Sequence, residues 1–330
     1  MRTCTPTWTR TRQDLAESIL RAYEKDGKLY SIPVYYTFRT MAVPASIAGE
    51  RTKWTLDEMM EIADSYLPDS MFFRHESKEH VLRICLRANI GQVTGAVPGG
   101  QGLDRDLLMK MLTFAGRFAA EDSNNEDLVI RAQEAGQLQC VCCESLFEIR
   151  LHQTMPHVFG EPVVYLGYPS ETGNGNLISS VYEFAISEAC ADKEAAWQFI
   201  SSLLSEENQT DPYQRQSFGF PLRTSAREAA FAVLMEKLYG TGANGEQEER
   251  PTHQIVFYGK MLDLYAVREE DAAMIRELTE NADTLSRRDE QVMGIITEEA
   301  GHYFSGAKSI GETVDVIEDR LRIYLMEREN

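Results

Sequence analysis

Between Val163 and Leu204 the spacing of apolar and polar positions switches from a strand pattern to a bend, back to a strand, and then to a helix. Val163–Leu166 is a short apolar run that predicts a strand. Gly167, Pro169, Gly173, Asn174, Gly175 and Asn176 follow, residues that tolerate left-handed or fixed-φ backbone and let the chain turn between two rigid elements. Leu177–Ile186 predicts a second strand, and after a Ser/Asp break Asp192 is placed to cap a helix. Ala195, Ala196, Phe199, Ile200, Leu203 and Leu204 recur at helical spacing, a face expected to pack on a sheet. Such a stretch is what a crossing between two lobes requires.

The same patterns extend over the chain. Asp14–Glu24 carries Leu15, Ile19, Leu20 and Tyr23 on one stripe, with Asp14 as the expected cap. After the Asp26-Gly27 turn, Leu29, Ile32, Val34 and Tyr36 mark a strand around Pro33, which suggests an edge or a hinge crossing, and Thr37–Ser46 continues it. Thr55 and Glu58 form a capping box for a helix ending near Leu67-Pro68. Helices are predicted over Glu79–Asn89, Asp104–Glu121, Glu144–Met155, Pro221–Tyr239, Ile255–Leu264, Asp271–Leu285 and Gln291–Phe304. Ser309 is expected to cap a last helix, Ile310–Glu329, docked through Val314, Ile317, Leu321 and Tyr324. Leu138–Cys143 predicts a buried strand, Asp122–Asp127 and Gly240–Arg250 predict loops, and the polar stretch Ser205–Phe220, with Tyr213 and Phe218, predicts a further crossing.

Composition narrows the class. A chain of 330 residues, 43% hydrophobic, can bury a sizeable core and is expected to divide into two domains. Its 33 basic against 52 acidic residues, a formal net charge of −19, would repel nucleic acid and anionic lipid. No run is long and apolar enough for a membrane span, and the N-terminus lacks the apolar core of a secretion signal, so this chain as written is expected to stay cytoplasmic. Cys4, Cys85, Cys140, Cys142, Cys143 and Cys190 show no framework spacing and read as reduced, small hydrophobes.

The order "G-aromatic-P, acidic and Gly-rich loop, apolar strand ending A-I-S, then K-E-A-A-W-x-F-I" resembles the extracellular solute-binding proteins of ABC importers, of the carbohydrate type (family 1). GKLYSIPVYY (Gly27–Tyr36) with WTLDEMMEIA (Trp54–Ala63) resembles the family's first hinge strand and the helix after it. YFSGAKSIGETVDVIEDRLRIYLMER (Tyr303–Arg328) resembles its C-terminal helix pair. The three stretches occur in the family's order.

The resemblance implies an α/β, two-lobed periplasmic-binding-protein-like fold (type II) with ligand bound in an interlobe cleft. Mapped on this chain, it implies a partial first lobe from 14–36 and 165–213 and a complete second lobe from 37–164 and 216–330. The leading βαβ units of the first lobe are expected to be absent, which would leave apolar faces uncovered. Residues 1–13, with five Thr, three Arg and no acidic residue, are expected to be disordered or an aberrant start. One compatible codon choice, read two bases later, gives A-D-L-Y-P-Y-L-D-A-D-P, which is similar to the family's segment before this position.

The implied function is that of the substrate-binding subunit of an importer, with no catalytic residues and no cofactor. The implied partners are a carbohydrate ligand and the ABC permease subunits, with no nucleic acid, and family members are extracellular or lipid-anchored at the cell surface. Sugars are held by aromatic faces on the ring and by polar side chains on the hydroxyls. The candidates at the crossings are therefore Tyr35, Tyr36, Thr37 and Arg39 at the first, and Tyr168, Ser170, Glu171 and Asn174 at the second, with Tyr36 and Tyr168 flooring the groove.

Other chemistries have less in the sequence to carry them. GQVTGAVPGGQG (Gly91–Gly102) invites a phosphate cradle but has no G-K-[ST] and no dinucleotide fingerprint. Cys140, Cys142 and Cys143 with His152 and His157 could in principle ligate zinc, yet adjacent strand residues point to opposite faces. No catalytic motif is found, and Glu298-Glu299 reads as part of a solvated helix face. A metal- or sugar-processing enzyme that uses these Cys, His or carboxylate groups is the alternative, and a truncated remnant that binds nothing is another.

Overall fold

The computed structural model describes residues 12–66, 71–73, 77–95, 102–119, 138–146, 149–210, 219–257, 260–286 and 290–328. In chain order, α1 (Glu17–Tyr23) leads to the long strand β1 (Ile32–Pro44), then α2 (Leu56–Tyr66), β2 (Met71–Phe73), α3 (Lys78–Arg87) and α4 (Arg105–Ala115). β3 (Leu138–Leu146), α5 (Ile149–Phe159), β4 (Val163–Tyr165), β5 (Leu177–Phe184) and α6 (Lys193–Leu203) follow. The chain continues with β6 (Phe220–Pro221), α7 (Thr224–Leu234), α8 (Glu269–Glu280), β7 (Thr284–Leu285), α9 (Glu290–Phe304) and α10 (Ile310–Arg328). One sheet holds the order β7-β5-β1-β3-β2, with β4 and β6 also paired to β1. This is the α/β fold expected from the sequence.

The chain divides into two compact units. Unit 1 comprises the residues up to Thr40, Cys143–Val163 and Asn176–Leu285; unit 2 comprises Met41–Cys142, Val164–Gly175 and the residues from Ser286 onward. β1 therefore begins in one unit and ends in the other.

This partition differs from the expected one. Residues 216–285 group with the start of β1 rather than with its end, because β6 pairs antiparallel with Tyr35 and Tyr36, and α7 and α8 supply hydrogen-bond partners to Tyr36. The chain makes no crossing within Ser205–Phe220: it stays in unit 1 from Asn176 to Leu285. Tyr213 and Phe218 lie outside the described residues, as do the loop Asp122–Asp127, residues 1–11 and most of the Gly-rich loop after Gly95.

All thirteen residues of β1 are buried, which a strand covered on both faces requires. Its register with β5 shifts between Pro33 and Tyr35 and between Tyr35 and Tyr36, the irregularity a proline without an N–H imposes. Gln209 is fully buried beside this irregularity: its amide donates to the Val34 carbonyl (3.0 Å) and its carbonyl accepts from the Arg223 N–H (2.9 Å). Asp14 does not cap α1, whose N-cap is Ala16. Its carboxylate accepts instead from Arg223 Nη1 (2.8 Å), Ser225 Oγ (2.5 Å) and Ser225 N (3.2 Å), at the start of α7.

α6 is capped as expected, Asp192 Oδ1 accepting from Ala195 N at 2.9 Å. Its apolar face is not covered as expected: Ile200 and Leu204 are buried, while Phe199 is 57% exposed, its ring 6.0 Å from that of Phe184 at the end of β5, and Val181 and Tyr182 of β5 are exposed as well. β7 pairs only with Leu177 and Ile178, and beyond them no other described strand joins the outer edge of β5.

Two stretches read as helix and loop are hairpins. His253–Phe257 pairs with Lys260–Leu264, and Leu238–Thr241 pairs with Gln247–Arg250. HQIVF and KMLDL flank Tyr258-Gly259, and their β-branched and aromatic content outweighs the coincident helical spacing. The Pro221–Tyr239 expectation resolves into β6 followed by the shorter α7.

In unit 2, α2 and α10 carry the caps expected from the sequence, and α4 carries one that was not. Thr55 N donates to Glu58 Oε2 (2.7 Å) and Glu58 N to Thr55 Oγ1 (3.3 Å); Ser309 and Glu312 repeat this at α10, and Asp104 caps α4. Ser77 caps α3. Val314, Ile317 and Leu321 are the buried face of α10 and Tyr324 is half-buried. Glu299 is not solvated: it is buried and paired with Lys308 (2.8 Å) and Arg320 (2.6 Å), which hold its carboxyl below the usual range against the opposing effect of burial.

Candidate ligand-binding segments

The first segment, Tyr35–Arg39, belongs to unit 1 and all of it is buried. Thr279 Oγ1 donates its only hydrogen to the Ile275 carbonyl (2.8 Å), so the Tyr36 hydroxyl donates to Thr279 (3.1 Å) and accepts from Arg227 Nη1 (3.3 Å). Burial opposes the charge of Arg227, but Tyr36 and Glu228 outweigh it and raise the guanidinium's pKa. Glu228 in turn accepts from Arg227 and Arg276. Tyr35 Oη donates to the Asn208 carbonyl (3.3 Å), and the Thr37 hydroxyl lies 3.5 Å from the Ser179 carbonyl. Arg39 is buried close to the end of the unit 1 part of β1.

The second segment, Tyr168–Asn174, belongs to unit 2 and is docked on the start of α2 and the end of α3. Trp54 Nε1 donates to the Gly167 carbonyl (2.7 Å), and Ser170 N donates to the Trp54 carbonyl (3.0 Å). Glu171 Oε1 accepts from Leu56 N (3.0 Å), placing a carboxylate at the helix N-terminus where the backbone dipoles favour one. Ser170 Oγ accepts from Gly173 N (3.0 Å) and Thr172 N (3.4 Å). Tyr168 N donates to the Gly175 carbonyl (2.9 Å), and the Arg87 guanidinium lies 5.6 Å from the centre of the Tyr168 ring.

Of the eight residues expected from the sequence, Glu171 is exposed and Asn174 half-buried, while Tyr35, Tyr36, Thr37, Arg39, Tyr168 and Ser170 are buried. The two tyrosines expected to floor a groove are each fully enclosed, Tyr36 in unit 1 and Tyr168 in unit 2.

A profile of the family described as bacterial extracellular solute-binding protein matches residues 5–236. The chain belongs to this family. Solved structures with the same fold include the sugar-binding protein MalE from Xanthomonas citri, at 14% identity and a TM-score of 0.57, covering 100% of this chain and 80% of that one. The extracellular solute-binding protein family 1 from Alicyclobacillus acidocaldarius matches at 12% identity and a TM-score of 0.53, covering 94% and 76%. The bacterial solute receptor AcbH, described as having an exclusive substrate preference for β-D-galactopyranose, matches at 10% identity and a TM-score of 0.56, covering 97% and 79%. No curated protein matches.

The extracellular solute-binding family is one of binding proteins, not enzymes. Among the described residues no helix is long and apolar enough to cross a membrane, and no group of three or more His, Cys, Asp or Glu is arranged to hold a metal. His152 lies against Asp271 (3.3 Å). The side chains of Cys140, Cys142 and Cys143 lie outside the described residues; Cys85 is free and buried, which pushes its thiol above the ordinary range, and Cys190 is free and half-buried.

Sequence reasoning missed the supporting roles of Trp54, read only as the start of the WTLDEMMEIA stretch, and of Asn89, placed at a helix end. It also missed Arg227, Gln209 and Thr40. All five act over long sequence separations, so no local spacing marks them. Asn89 had one signal, an amide just past a helix C-terminus where carbonyls lack partners.

Proposed function

We propose that this chain is the substrate-binding subunit of an ABC importer, capturing a sugar or oligosaccharide and delivering it to a membrane permease. The reading is supported by family membership and carried by one observation. Two segments, one carrying Tyr35, Tyr36, Thr37 and Arg39 and the other Tyr168, Ser170, Glu171 and Asn174, adjoin two of the five points at which the chain passes between its units, Thr40/Met41 and Gly175/Asn176. Aromatic faces and convergent hydroxyl, carboxylate and amide groups are the side chains that bind a sugar ring and its hydroxyls.

The proposed contacts are Tyr35, Tyr36, Thr37, Arg39, Tyr168, Ser170, Glu171 and Asn174. Glu171 and Asn174 reach solvent in this structure and are proposed to meet ligand first. The tyrosines are proposed to contribute once local opening within each segment exposes them, with binding energy offsetting that exposure. Isothermal titration against maltose, D-galactose and longer oligosaccharides tests the reading. Saturable single-site heat with at least one sugar is expected; heat only with a peptide or a metal ion would replace the ligand class.

A further inference from the structure

We infer that Asn89, a residue that cannot itself touch ligand, is the positioning residue of the Gly167–Gly175 loop and sets ligand affinity through it. The inference rests on the proposed role of Ser170, Glu171 and Asn174 as sugar contacts. Asn89 is 1% exposed, two residues past the end of α3. Its side-chain amide donates to the Cys85 carbonyl (2.9 Å) and to the Pro169 carbonyl (2.8 Å), and its oxygen accepts from Glu171 N (3.0 Å). Turning the amide over would set its oxygen against two carbonyls and its nitrogen against an N–H, so these partners fix its orientation.

Cys85 is in the last turn of α3, where carbonyls lack helical partners, so one side chain finishes a helix and grips the loop at two points. Trp54 holds the same loop at Gly167 and Ser170, and Leu56 N holds the Glu171 carboxylate. Gly167, Pro169, Ser170 and Glu171 are thereby each bound to a residue outside the loop. A loop ordered before ligand arrives loses less conformational freedom on binding, and affinity rises accordingly. Asn89 grips the centre of this run, and its loss frees the stretch that carries the polar contacts.

The test uses the full chain with N89A, N89D and, as a control, L108A, which cuts a buried apolar side chain of α4 in the same unit that makes no hydrogen bond to the loop. Three quantities are measured: hydrogen-exchange protection of the Ser170–Gly173 amides without ligand, the Kd for maltose and D-galactose, and the urea midpoint. N89A is expected to lower loop protection and weaken binding by about tenfold or more each, the usual scale for stranded buried polar groups. L108A is expected to lower the urea midpoint with loop protection retained relative to global stability.

N89D is expected to show a pH profile that N89A lacks. Its ionised carboxylate opposes the Pro169 and Cys85 carbonyls, whereas the protonated form restores one O–H donor and recovers protection and affinity as pH falls. Unchanged loop protection in folded N89A or N89D overturns the inference, as does lost protection with unchanged Kd. If the wild-type chain binds neither sugar, the sugar reading is at fault, and the protection measurement alone decides whether Asn89 sets the loop. Should N89A fail to fold, N89D and Trp54→Phe, which removes the indole donor to Gly167, give the same two readouts.

Discussion

The hydroxyl of Thr40 donates to the side-chain oxygen of Asn176 across 2.5 Å, and both residues are buried. They are 136 residues apart in sequence, and each is the unit 1 residue adjoining a point where the chain passes to unit 2. Two of these passages are therefore fastened to each other on the unit 1 side. Thr40→Val, which keeps the shape and removes the donor, should cost about 1–2 kcal/mol, the usual scale for depriving a buried acceptor. Thr40→Ser should recover most of it. Urea unfolding measures both, and a midpoint unmoved by Thr40→Val would show that the bond contributes nothing.

Gly175 has φ +74°, and a Cβ there would run into the Tyr168 carbonyl oxygen. Gly175→Ala should therefore cost about 1–3 kcal/mol in strain and displace the loop. Gly160, also at positive φ (+73°) but with open space around it, should tolerate alanine better. Thermal unfolding of the two variants side by side tests the contrast; equal losses would contradict it.

Asp271 is buried at the start of α8. Burial alone would raise its pKa, but hydrogen bonds from His152 and Arg268 overcome that and hold the carboxyl well below the usual range. Its folded pKa is depressed, so its contribution is present above the unfolded value of about 3.9 and is lost as pH falls from there through the folded value. Asp271→Asn should lower stability near neutral pH and flatten the acid side of the stability profile. Urea midpoints from neutral pH down to about pH 2 read this, and parallel profiles for wild type and variant would rule it out.

Phe199 and Ile200 are neighbours on α6 with opposite environments, 57% and 3% exposed. Ile200→Ala should cost about 2–5 kcal/mol, the range for emptying a packed site. Phe199→Ala should cost less than about 1 kcal/mol, since its ring meets only partial cover near Phe184. Chemical denaturation of the pair separates them, and a large loss for Phe199→Ala would mean that this face is covered in solution.

What the sequence disclosed was governed by range. Asp192, Thr55 with Glu58, and Ser309 with Glu312 cap helices three residues away, so spacing alone revealed them. Asp14 was misassigned because its partners are Arg223 and Ser225, and local spacing offered a nearer helix to cap. Ile255–Leu264 satisfied helical spacing by coincidence, and Gly259 was the neglected turn signal. Phe199 sits where a buried face was due, yet burial depends on what lies opposite, which period cannot report. The candidate segments themselves were legible from residue types, but not their enclosure or their supports at Trp54, Asn89 and Arg227.

The bonds from Asp14 to Arg223 and Ser225 span 209 and 211 residues. As the polypeptide leaves the ribosome, this aspartate must wait for most of the message to be translated before its partners emerge. The body it helps to close cannot mature early, and until then its oily strands stay available to chaperones.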